Sequence, residues 1–330
     1  MSTSARAVRI KSPGGPEVLN LGTLEVRDPG PTEVLVEVVA AGLNRADCLQ
    51  RRGVYAAPTG TVADVPGLEY AGHVARVGSE VQSCKVGDRV MAICAGGSMA
   101  THIVAHEREL VAVPASIDLV QAAAIPEVFM TAYDALFLQA GLGMGQYALL
   151  HAVASGIGTA ALQLVHAAGA TAIGTSRSAA KLERMKEYGL VHGIVAGEGL
   201  FAERVKEITS GRLAHAVLDT VGAKYLGENL KAISIGGTIV TIGLLGGVKA
   251  DLMLGLLVAK RATLRGSVLR SRPLEEKIAL ARAFTEAVLP LFAQGRLRAM
   301  VEDVMPMAEV QKAHARMESD EVLGKLVLTW

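Results

Sequence analysis

The chain has 330 residues, of which 51% are hydrophobic and 20% are charged, and its formal net charge is +1. This composition supplies a large core and excludes a disordered chain, and the length favours two domains over one. A charge so close to zero, without blocks of like charge, argues against nucleic acid or an anionic membrane as the main partner.

No targeting or membrane-spanning signal is evident in the sequence. The first residues lack the apolar core of a signal peptide, and glycines and polar residues break the uncharged stretch between Asp134 and Arg177. The three cysteines, Cys48, Cys84 and Cys94, form neither a CxxC pair nor an even set. We therefore expect a cytoplasmic protein with free thiols.

Residues 1–124 predict a β-rich domain. Short runs rich in Val and Ile are separated there by turns that contain Gly, Pro and Asp. The predicted strands are Ala5–Ile10, Val34–Val39, Tyr70–Val77 and Arg89–Ile93. Many short strands in one segment of this length are typical of a compact, barrel-like domain.

Residues 125–270 alternate between strand-like and helix-like runs. The predicted strands are Tyr147–Val153, Thr171–Thr175, His215–Thr220, Gly237–Leu245 and Thr263–Leu269. The predicted helices between them are Thr159–Ala168, Ala179–Tyr188 and Lys224–Ile233. This alternation predicts a doubly wound parallel sheet of the Rossmann type, whose ligand binds beyond the carboxyl ends of the strands.

Residues 271–330 do not extend this alternation. A helix is predicted over Leu274–Phe292, and a second helix, Ala308–Met317, lies between the predicted strands Met300–Pro306 and Lys325–Thr329. We expect this C-terminal segment to return to the first domain and to add its strands there.

The segment 151–161 carries the clearest functional motif. Gly156, Gly158 and Ala161 fit the spacing G-x-G-x-x-G/A between a predicted strand and a predicted helix. Glycines at this spacing permit a tight turn and close approach of the backbone to a pyrophosphate, and the helix N-terminus attracts its charge. The predicted dinucleotide site comprises Ser155, Gly156, Ile157 and Gly158, together with the loops that hold Gly222, Gly243, Leu244 and Leu245.

The residues after the second strand favour NADP(H) over NAD(H). An NAD site usually has Asp or Glu there, whereas this chain has Ser176 and Arg177, with Lys181 one helical turn later. A hydroxyl, a guanidinium and an ammonium suit a 2′-phosphate. Alternatively, Ser176 caps the following helix and both cations are solvated, and Ser176 could also do both.

The run Pro66–His73 resembles the catalytic-domain signature of the medium-chain dehydrogenase/reductase superfamily. Zinc-dependent alcohol dehydrogenases of that superfamily have G-H-E there, with the His as a metal ligand, and this chain has Leu68 in its place. Cys48, Cys94 and His73 show no ligand spacing. We therefore predict no metal, and without a Lewis acid the substrates should be electron-poor acceptors such as quinones or enones.

Several segments together resemble the zinc-free quinone oxidoreductase branch of this superfamily, and among its types the p53-inducible one most. They are Ala41–Asp47, Gln50–Tyr55, Ala123–Ala132, the Ser155–Gly156 loop, Leu269–Arg272 and Gly324–Leu328. This resemblance covers nearly the whole chain. It implies a GroES-like catalytic domain beside the Rossmann domain, NADPH-dependent reduction of a small quinone in a cleft between them, and a homodimer.

The resemblance also implies the site residues. Asn44 and Tyr55 would line the substrate cleft beside the nicotinamide, where an amide can donate and accept and a phenol ring can stack on a quinone. The cofactor would contact Asn44, Met130, Thr131, Val268, Leu269, Arg270 and Lys325 as well as the glycine loops. The plainer alternatives are a turn residue for Asn44 and a half-buried surface aromatic for Tyr55.

Three positions need separate interpretation. Ala196 stands where family members commonly have a Tyr on the adenosine phosphate, which removes one NADPH contact. Gln146 replaces the usual Asp before the first Rossmann strand, and we interpret this change as structural. His151 could reach the cofactor loop, although a buried histidine with satisfied hydrogen bonds is the more usual case.

Two other functions remain open at this point. An enoyl or enone reductase could use the same fold, with Tyr55 as the best candidate proton donor to the substrate α-carbon. A cofactor-binding protein with little turnover is the third possibility. The predicted strand Thr263–Leu269, as the last of the sheet, could pair with a second copy across a two-fold axis.

Overall fold

The computed structural model describes residues 2–196 and 199–330. Its strands in chain order are β1 (Thr3–Ile10), β2 (Leu19–Val26), β3 (Glu33–Leu43), β4 (Glu69–Val77), β5 (Arg89–Ile93), β6 (His102–His106), β7 (Val111–Ala112), β8 (Tyr147–Leu150), β9 (Thr171–Ser176), β10 (His192–Val195), β11 (Ala214–Asp219), β12 (Ile233–Thr241), β13 (Thr263–Gly266), β14 (Val301–Pro306) and β15 (Lys325–Thr329). No helix among the described residues is long and apolar enough to cross a membrane.

The helices are mostly short. In chain order they are α1 (Arg45–Arg51), α2 (Leu119–Ala122), α3 (Pro126–Tyr133), α4 (Gly156–Ala167), α5 (Ala179–Met185), α6 (Ala202–Ile208), α7 (Leu226–Ala232), α8 (Leu254–Lys260), α9 (Leu274–Ala287), α10 (Leu289–Ala293) and α11 (Val310–Glu318). A π-helical segment, Asp134–Gln139, follows α3 directly.

The chain divides into two compact units. The first comprises the chain up to Met130 together with Leu269–Trp330, and the second comprises Thr131–Val268. The borders predicted from the sequence lie after residues 124 and 270. The return of the chain to the first unit therefore begins at Leu269.

The first unit is built on a sheet with the strand order β14-β15-β3-β4-β5-β7, and β6 also pairs with β3. The long strand β3 is rich in Val and pairs antiparallel with β4 on one side and with β15 on the other, where Leu326 lies opposite Leu43. Buried apolar side chains of these strands, among them Leu43, Leu326 and Leu328, pack against Met305 and Met307. This is the GroES-like fold that the resemblance implied.

The second unit contains a six-stranded parallel sheet in the order β10-β9-β8-β11-β12-β13. From β8 the strand order continues to β9 and β10 on one side, and from β11 it continues to β12 and β13 on the other. The switch point therefore lies between β8 and β11. The apolar residues Leu149, Ile173, Val217 and Ile239 form the centre of its core. The predicted Rossmann-type sheet is confirmed.

Several predicted boundaries were wrong. The strand predicted from Tyr147 to Val153 ends at Leu150, because Ala152 adopts a left-handed conformation with φ of 48°. The strand predicted over Gly237–Leu245 spans Ile233–Thr241, since the fully buried Ile233 already belongs to the core.

The predicted helix Leu274–Phe292 is two helices. These are α9 and α10, which meet at Val288. Pro290 lies in the first turn of α10, where its missing N–H group costs no intrahelical hydrogen bond. A single helix through this position would lose that bond, which accounts for the break.

Candidate active site

The turn between β8 and α4 has the geometry of a nucleotide-binding loop. Ser155 is the N-cap of α4, and its hydroxyl accepts a hydrogen bond of 3.2 Å from the Gly158 amide. A Cβ atom at Gly158 would lie 2.4 Å from the carbonyl oxygen of Ala152. Only glycine therefore permits this close packing of the helix on the turn, and the first turn of α4 presents its N–H groups beyond the strand.

Two more loops at the carboxyl ends of the parallel strands also require glycine. Gly222 follows β11 with φ of 77°, and the Asp219 carboxylate accepts hydrogen bonds from the amides of Val221 and Gly222. Gly243 follows β12, and a Cβ atom there would lie 2.8 Å from the Thr220 carbonyl oxygen. The loops approach each other too closely for side chains, which suits a bound dinucleotide.

The adjoining side chains Leu244 and Leu245 are exposed. They directly follow Gly243 and add an apolar surface at this edge of the sheet. Ile157, in the first turn of α4, is partly exposed at the same edge. These residues and the glycine loops therefore fit a nicotinamide dinucleotide, whose rings are apolar and whose phosphates accept from backbone amides.

The residues after β9 correct one sequence interpretation. Ser178, rather than Ser176, caps α5, because its hydroxyl accepts from the amide of Lys181 at 3.3 Å. The Ser176 hydroxyl accepts from the Ser178 amide at 3.1 Å and forms a local turn. Arg177 is exposed and Lys181 is partly exposed. The segment 174–181 contains no carboxylate, which leaves a positive surface beyond the end of β9.

His151 is fully buried and hydrogen-bonded on both ring nitrogens. Nε2 donates to Asn229 Oδ1 at 2.7 Å, and Nδ1 accepts from the Thr175 hydroxyl at 2.9 Å. Its ring packs against Phe201 and Tyr225, with centroids 4.9 and 4.8 Å away. Burial lowers its pKa, so the ring is neutral. The structural interpretation of His151 is confirmed.

Ala196 lies directly after β10 and is buried. Its carbonyl oxygen accepts a hydrogen bond of 2.8 Å from the Tyr225 hydroxyl. The tyrosine next to position 196 is therefore Tyr225, which comes from another segment of the chain. Its hydroxyl is bonded to the backbone. Burial raises the pKa of Tyr225, so it donates this bond at neutral pH.

In the first unit, Asn44 belongs to a buried polar cluster that short sequence motifs did not reveal. Its amide nitrogen donates to Glu69 Oε1 at 2.9 Å and to the Gly42 carbonyl at 3.3 Å. Its amide oxygen accepts from Lys325 Nζ at 2.6 Å. Both ends of the amide are thus fixed by the protein, so Asn44 presents a single orientation.

Lys325 is the cation of this cluster and is only 2% exposed. Its ammonium donates to Glu69 Oε1 at 2.5 Å, to Asn44 Oδ1 and to the Leu43 carbonyl at 2.9 Å. An ammonium has three N–H groups, and these three acceptors use all of them. The structure therefore gives Lys325 a part in orienting Asn44, while its contact with the cofactor stays a prediction.

Two further carboxyl groups adjoin the same cluster. Asp47 is fully buried and accepts from the amides of Asn44 and Gly67 at 2.8 and 2.9 Å, while burial raises its pKa to about 6. Glu127, at the start of α3, donates its backbone amide to Glu69 Oε2 at 2.9 Å. Burial and the neighbouring Glu69 charge raise the pKa of Glu127 to about 8. One lysine thus serves several carboxyl groups.

Sequence reasoning missed Asp47, Glu69 and Glu127 as parts of this cluster. Each is an acidic residue beside an apolar run, and Asp47 and Glu69 are fully buried. The available signal for Asp47 and Glu69 was the pair of apolar segments next to them, Ala40–Leu43 and Tyr70–Gly72. A buried charge requires a partner, and this requirement would have predicted a remote cation.

Tyr55 lies in the loop after α1 and is partly buried. The guanidinium of Arg270 is 4.9 Å from the centre of its ring. Burial is the main cause that raises the Tyr55 pKa, so the phenol keeps its proton at neutral pH. Tyr55 and Arg270, which the sequence assigned to substrate and cofactor respectively, are therefore neighbours.

The remaining predicted cofactor residues differ in exposure. Met130 and Leu269 are buried in the first unit, whereas Val268 is exposed in the second. Thr131 lies beside Met130 on α3 and is partly exposed. Contacts of Met130 and Leu269 with the cofactor stay predictions, because both residues are buried.

The zinc-ligand position is apolar in this chain. Leu68 is buried just before β4, and the nearby His73 is partly exposed within that strand. Over residues 2–196 and 199–330, no three His, Cys, Asp or Glu side chains form a group that could hold a metal ion. The donor set therefore does not fit a catalytic zinc.

Comparisons with known proteins agree with this architecture. Residues 30–115 match the family described as alcohol dehydrogenase GroES-like domain, and residues 156–286 match the family described as zinc-binding dehydrogenase. A quinone oxidoreductase from Pseudomonas aeruginosa is 33% identical over 98% of this chain and 99% of its own length.

Solved structures extend the likeness to the whole fold. A quinone oxidoreductase from Pseudomonas syringae is 30% identical, with a TM-score of 0.88 over 99% of this chain and all of the other. The CurK enoyl reductase is 26% identical, with a TM-score of 0.87 over 98% of this chain and 99% of the other. The chain therefore belongs to the quinone oxidoreductase family within the medium-chain dehydrogenase/reductase superfamily of nicotinamide-dependent oxidoreductases.

Proposed function

We propose that this protein reduces quinones with NADPH and without a metal. The observation that carries the proposal is the pairing of a glycine-built dinucleotide loop with Arg177 and Lys181, in a segment that has no carboxylate. The curated quinone oxidoreductases among its relatives support the substrate class. When bound, a nicotinamide cofactor supplies a hydride, and a quinone is an acceptor that takes one readily.

The chain's own residues bind and orient the reactants. The first turn of α4 and the glycine loops accommodate the pyrophosphate, and Arg177 and Lys181 neutralise the 2′-phosphate dianion. Asn44 presents a fixed amide, and Tyr55 offers a ring for stacking and a phenol proton for hydrogen bonding. The protein thus contributes mainly orientation and the exclusion of water.

The apolar residue at the zinc-ligand position supports a metal-free reaction. Leu68 offers no donor atom, and an alcohol or simple ketone is hard to activate without a Lewis acid. A quinone needs no such activation, because its reduced ring delocalises the negative charge. Zinc analysis of the purified protein tests this directly, and one zinc per chain that is needed for turnover would overturn it.

Turnover itself is tested by following NADPH oxidation at 340 nm with a panel of acceptors. We expect ortho- or para-quinones to be reduced much faster than enones and enoyl thioesters. Binding of NADPH without oxidation by any acceptor would instead identify a cofactor-binding protein with little turnover.

Cofactor preference is tested with the double variant Arg177→Ala/Lys181→Ala. Loss of two cations beside a phosphate should raise the KM for NADPH by about 10- to 100-fold, at about 1.4 kcal/mol per tenfold, and should change that for NADH little. Arg184→Ala, an exposed position on the same helix, is the matched control. Equal changes for both cofactors would refute the assignment.

An enoyl or enone reductase is the second candidate, favoured by the likeness to the CurK enoyl reductase. Alkene reduction needs a proton at the substrate α-carbon as well as a hydride. Tyr55→Phe separates the two functions, because it removes a proton donor and keeps an aromatic ring. It should leave quinone reduction within about threefold and abolish enone reduction if Tyr55 is that donor.

We also propose a homodimer that forms through β13. This strand is the edge of the parallel sheet, and all four of its residues, among them the apolar Leu264, are exposed. Val258, on the preceding helix α8, is also exposed and apolar. An uncovered edge of this kind can pair with a second copy. Analytical ultracentrifugation should show a dimer that Leu264→Lys dissociates, whereas Val195→Lys on the opposite edge strand should not.

A further inference from the structure

Arg270 is a buried cation of the first unit, with 4% of its surface exposed. Its guanidinium donates from Nε to the Ala95 carbonyl at 2.7 Å, from Nη2 to Gln50 Oε1 at 2.5 Å, and from Nη1 to the Tyr55 carbonyl at 3.3 Å. A buried charge is retained only where such acceptors compensate its lost hydration. The structure compensates it with neutral oxygens from helix α1 and from two loops.

These contacts converge on Tyr55. The Arg270 guanidinium donates a hydrogen bond to the Tyr55 carbonyl oxygen. It also lies over the Tyr55 ring, 4.9 Å from the ring centre. The Tyr55 amide also donates to the Leu49 carbonyl of α1 at 3.2 Å. The backbone and the ring of Tyr55 are therefore held by α1 and by Arg270.

The shape of the guanidinium matters here. An arginine has a planar, delocalised face for the ring and donors in a fixed fork for three acceptors, whereas a lysine has a single ammonium. Of the charged groups near Tyr55, Glu127 raises the phenol pKa and Arg270 lowers it, and burial raises it most. Arg270 thus acts on the position of the phenol ring and on its charge environment together.

We propose that Arg270 is the positioning residue that holds the Tyr55 ring ready to stack on the flat, conjugated ring of a quinone. The pair, rather than Tyr55 alone, then determines the preference for quinones over acyclic enones. This inference rests on the proposed function and adds to it a determinant of specificity. It also gives Arg270 a role other than the cofactor contact that the resemblance implied.

The first test compares Arg270→Lys with Tyr55→Leu and with the double variant. Each single change should raise the KM for an aromatic quinone by about 5- to 20-fold, with kcat and the NADPH dissociation constant within about twofold. Because Arg270 acts on the quinone only through the Tyr55 ring, the double variant should be no worse than Tyr55→Leu. Arg272→Lys, two residues along, is the matched control and should match the wild type.

Two results would overturn the proposal. One is multiplication of the two single effects, which would show that Arg270 and Tyr55 act independently. The other is a loss of NADPH affinity in Arg270→Lys as large as its loss of quinone affinity, which would show that Arg270 contacts the cofactor. Should Arg270→Lys fail to fold, Gln50→Ala removes one acceptor of the guanidinium and should raise the quinone KM in the same direction, by less; an unchanged KM would count against the proposal.

Hydrogen exchange separates this inference from the proposed function, because it needs no turnover. Arg270→Lys should accelerate amide exchange in the peptide that spans residues 52–60 by at least tenfold and leave peptides of the second unit unchanged. An unchanged rate would contradict the positioning role even in an active enzyme. Faster exchange in a protein that reduces no quinone would instead leave the positioning role standing and refute the proposed function.

Discussion

The two units build their candidate functional surfaces from different materials. The second unit uses backbone: glycines at 158, 222 and 243 allow loops to approach within distances that any Cβ atom would forbid. The first unit uses side chains: Asn44, Glu69 and Lys325 come from three distant segments and form one hydrogen-bonded, charged cluster. The surface of the second unit depends on glycines that have no Cβ atom, and the surface of the first unit depends on paired charges.

The two surfaces are vulnerable to different substitutions. A backbone loop fails when a side chain is added, and the damage is steric and local. A buried charge cluster fails when one partner is removed, because the remaining charge is then left in a medium that solvates it poorly. The following substitutions test that contrast, beginning with the largest expected effect.

Lys325→Met removes the cation of the cluster while keeping a long apolar side chain. We expect the free energy of unfolding to fall by about 3–5 kcal/mol, because Glu69 keeps a buried, uncompensated charge. Urea denaturation followed by circular dichroism measures this loss. Lys312→Met breaks the exposed pair with Glu309 and should cost less than about 1 kcal/mol.

The double variant Lys325→Met/Glu69→Gln sharpens the same test. With both charges removed, the loss should be smaller than that of Lys325→Met alone, which a double-mutant cycle makes visible. Two independent, additive losses would show that the first unit does not rely on matched charges.

Gly158→Ala tests the backbone surface of the second unit. The new Cβ would lie 2.4 Å from the Ala152 carbonyl oxygen, so the turn or α4 must shift, at about 1–3 kcal/mol. We expect weaker NADPH binding, measured by fluorescence titration, together with a lower melting temperature. Gly143→Ala is the matched control, because its Cβ would meet only the Gln146 side chain at 3.8 Å. Unchanged NADPH binding in Gly158→Ala would show that the turn does not require glycine at position 158.

The contrast also explains how much the sequence could predict. The glycine motif at 156–161 lies within one strand, turn and helix, so its spacing is visible in the sequence and its placement followed directly. The alternation of strands and helices likewise predicted the parallel sheet. The predicted boundaries were wrong where the local backbone conformation determines the end of an element, as at Ala152 and Pro290.

The charge cluster was harder to predict for a physical reason. Its members are 25 to 281 positions apart along the chain, as the bonds from Asn44 to Glu69 and from Lys325 to Asn44 show. No periodicity or spacing relates such residues, because the pairing exists only once β15 lies beside β3. The resemblance placed Asn44 and Lys325 at the site, whereas their acidic partners came only from the fold.

The smallest expected effect concerns Glu127, whose ionisation tests the charge cluster of the first unit through pH. Its pKa is about 8 in the folded protein against an ordinary value of 4.5, so the folded state holds a proton that the unfolded state releases. This contribution to stability is complete below about pH 4.5 and is lost as the pH rises through 8. Asp47, with a pKa of about 6, acts with the same sign at lower pH.

Between pH 7 and 8.5 the Glu127 contribution can therefore be measured largely by itself. Wild-type protein should lose about 1 kcal/mol of unfolding free energy over this range, and Glu127→Gln, which cannot ionise, should lose much less. Glu183→Gln, at an exposed position on α5, should behave as the wild type. An identical pH dependence in Glu127→Gln would mean that Lys325 compensates the charges of both Glu69 and Glu127, so that Glu127 ionises without loss of stability.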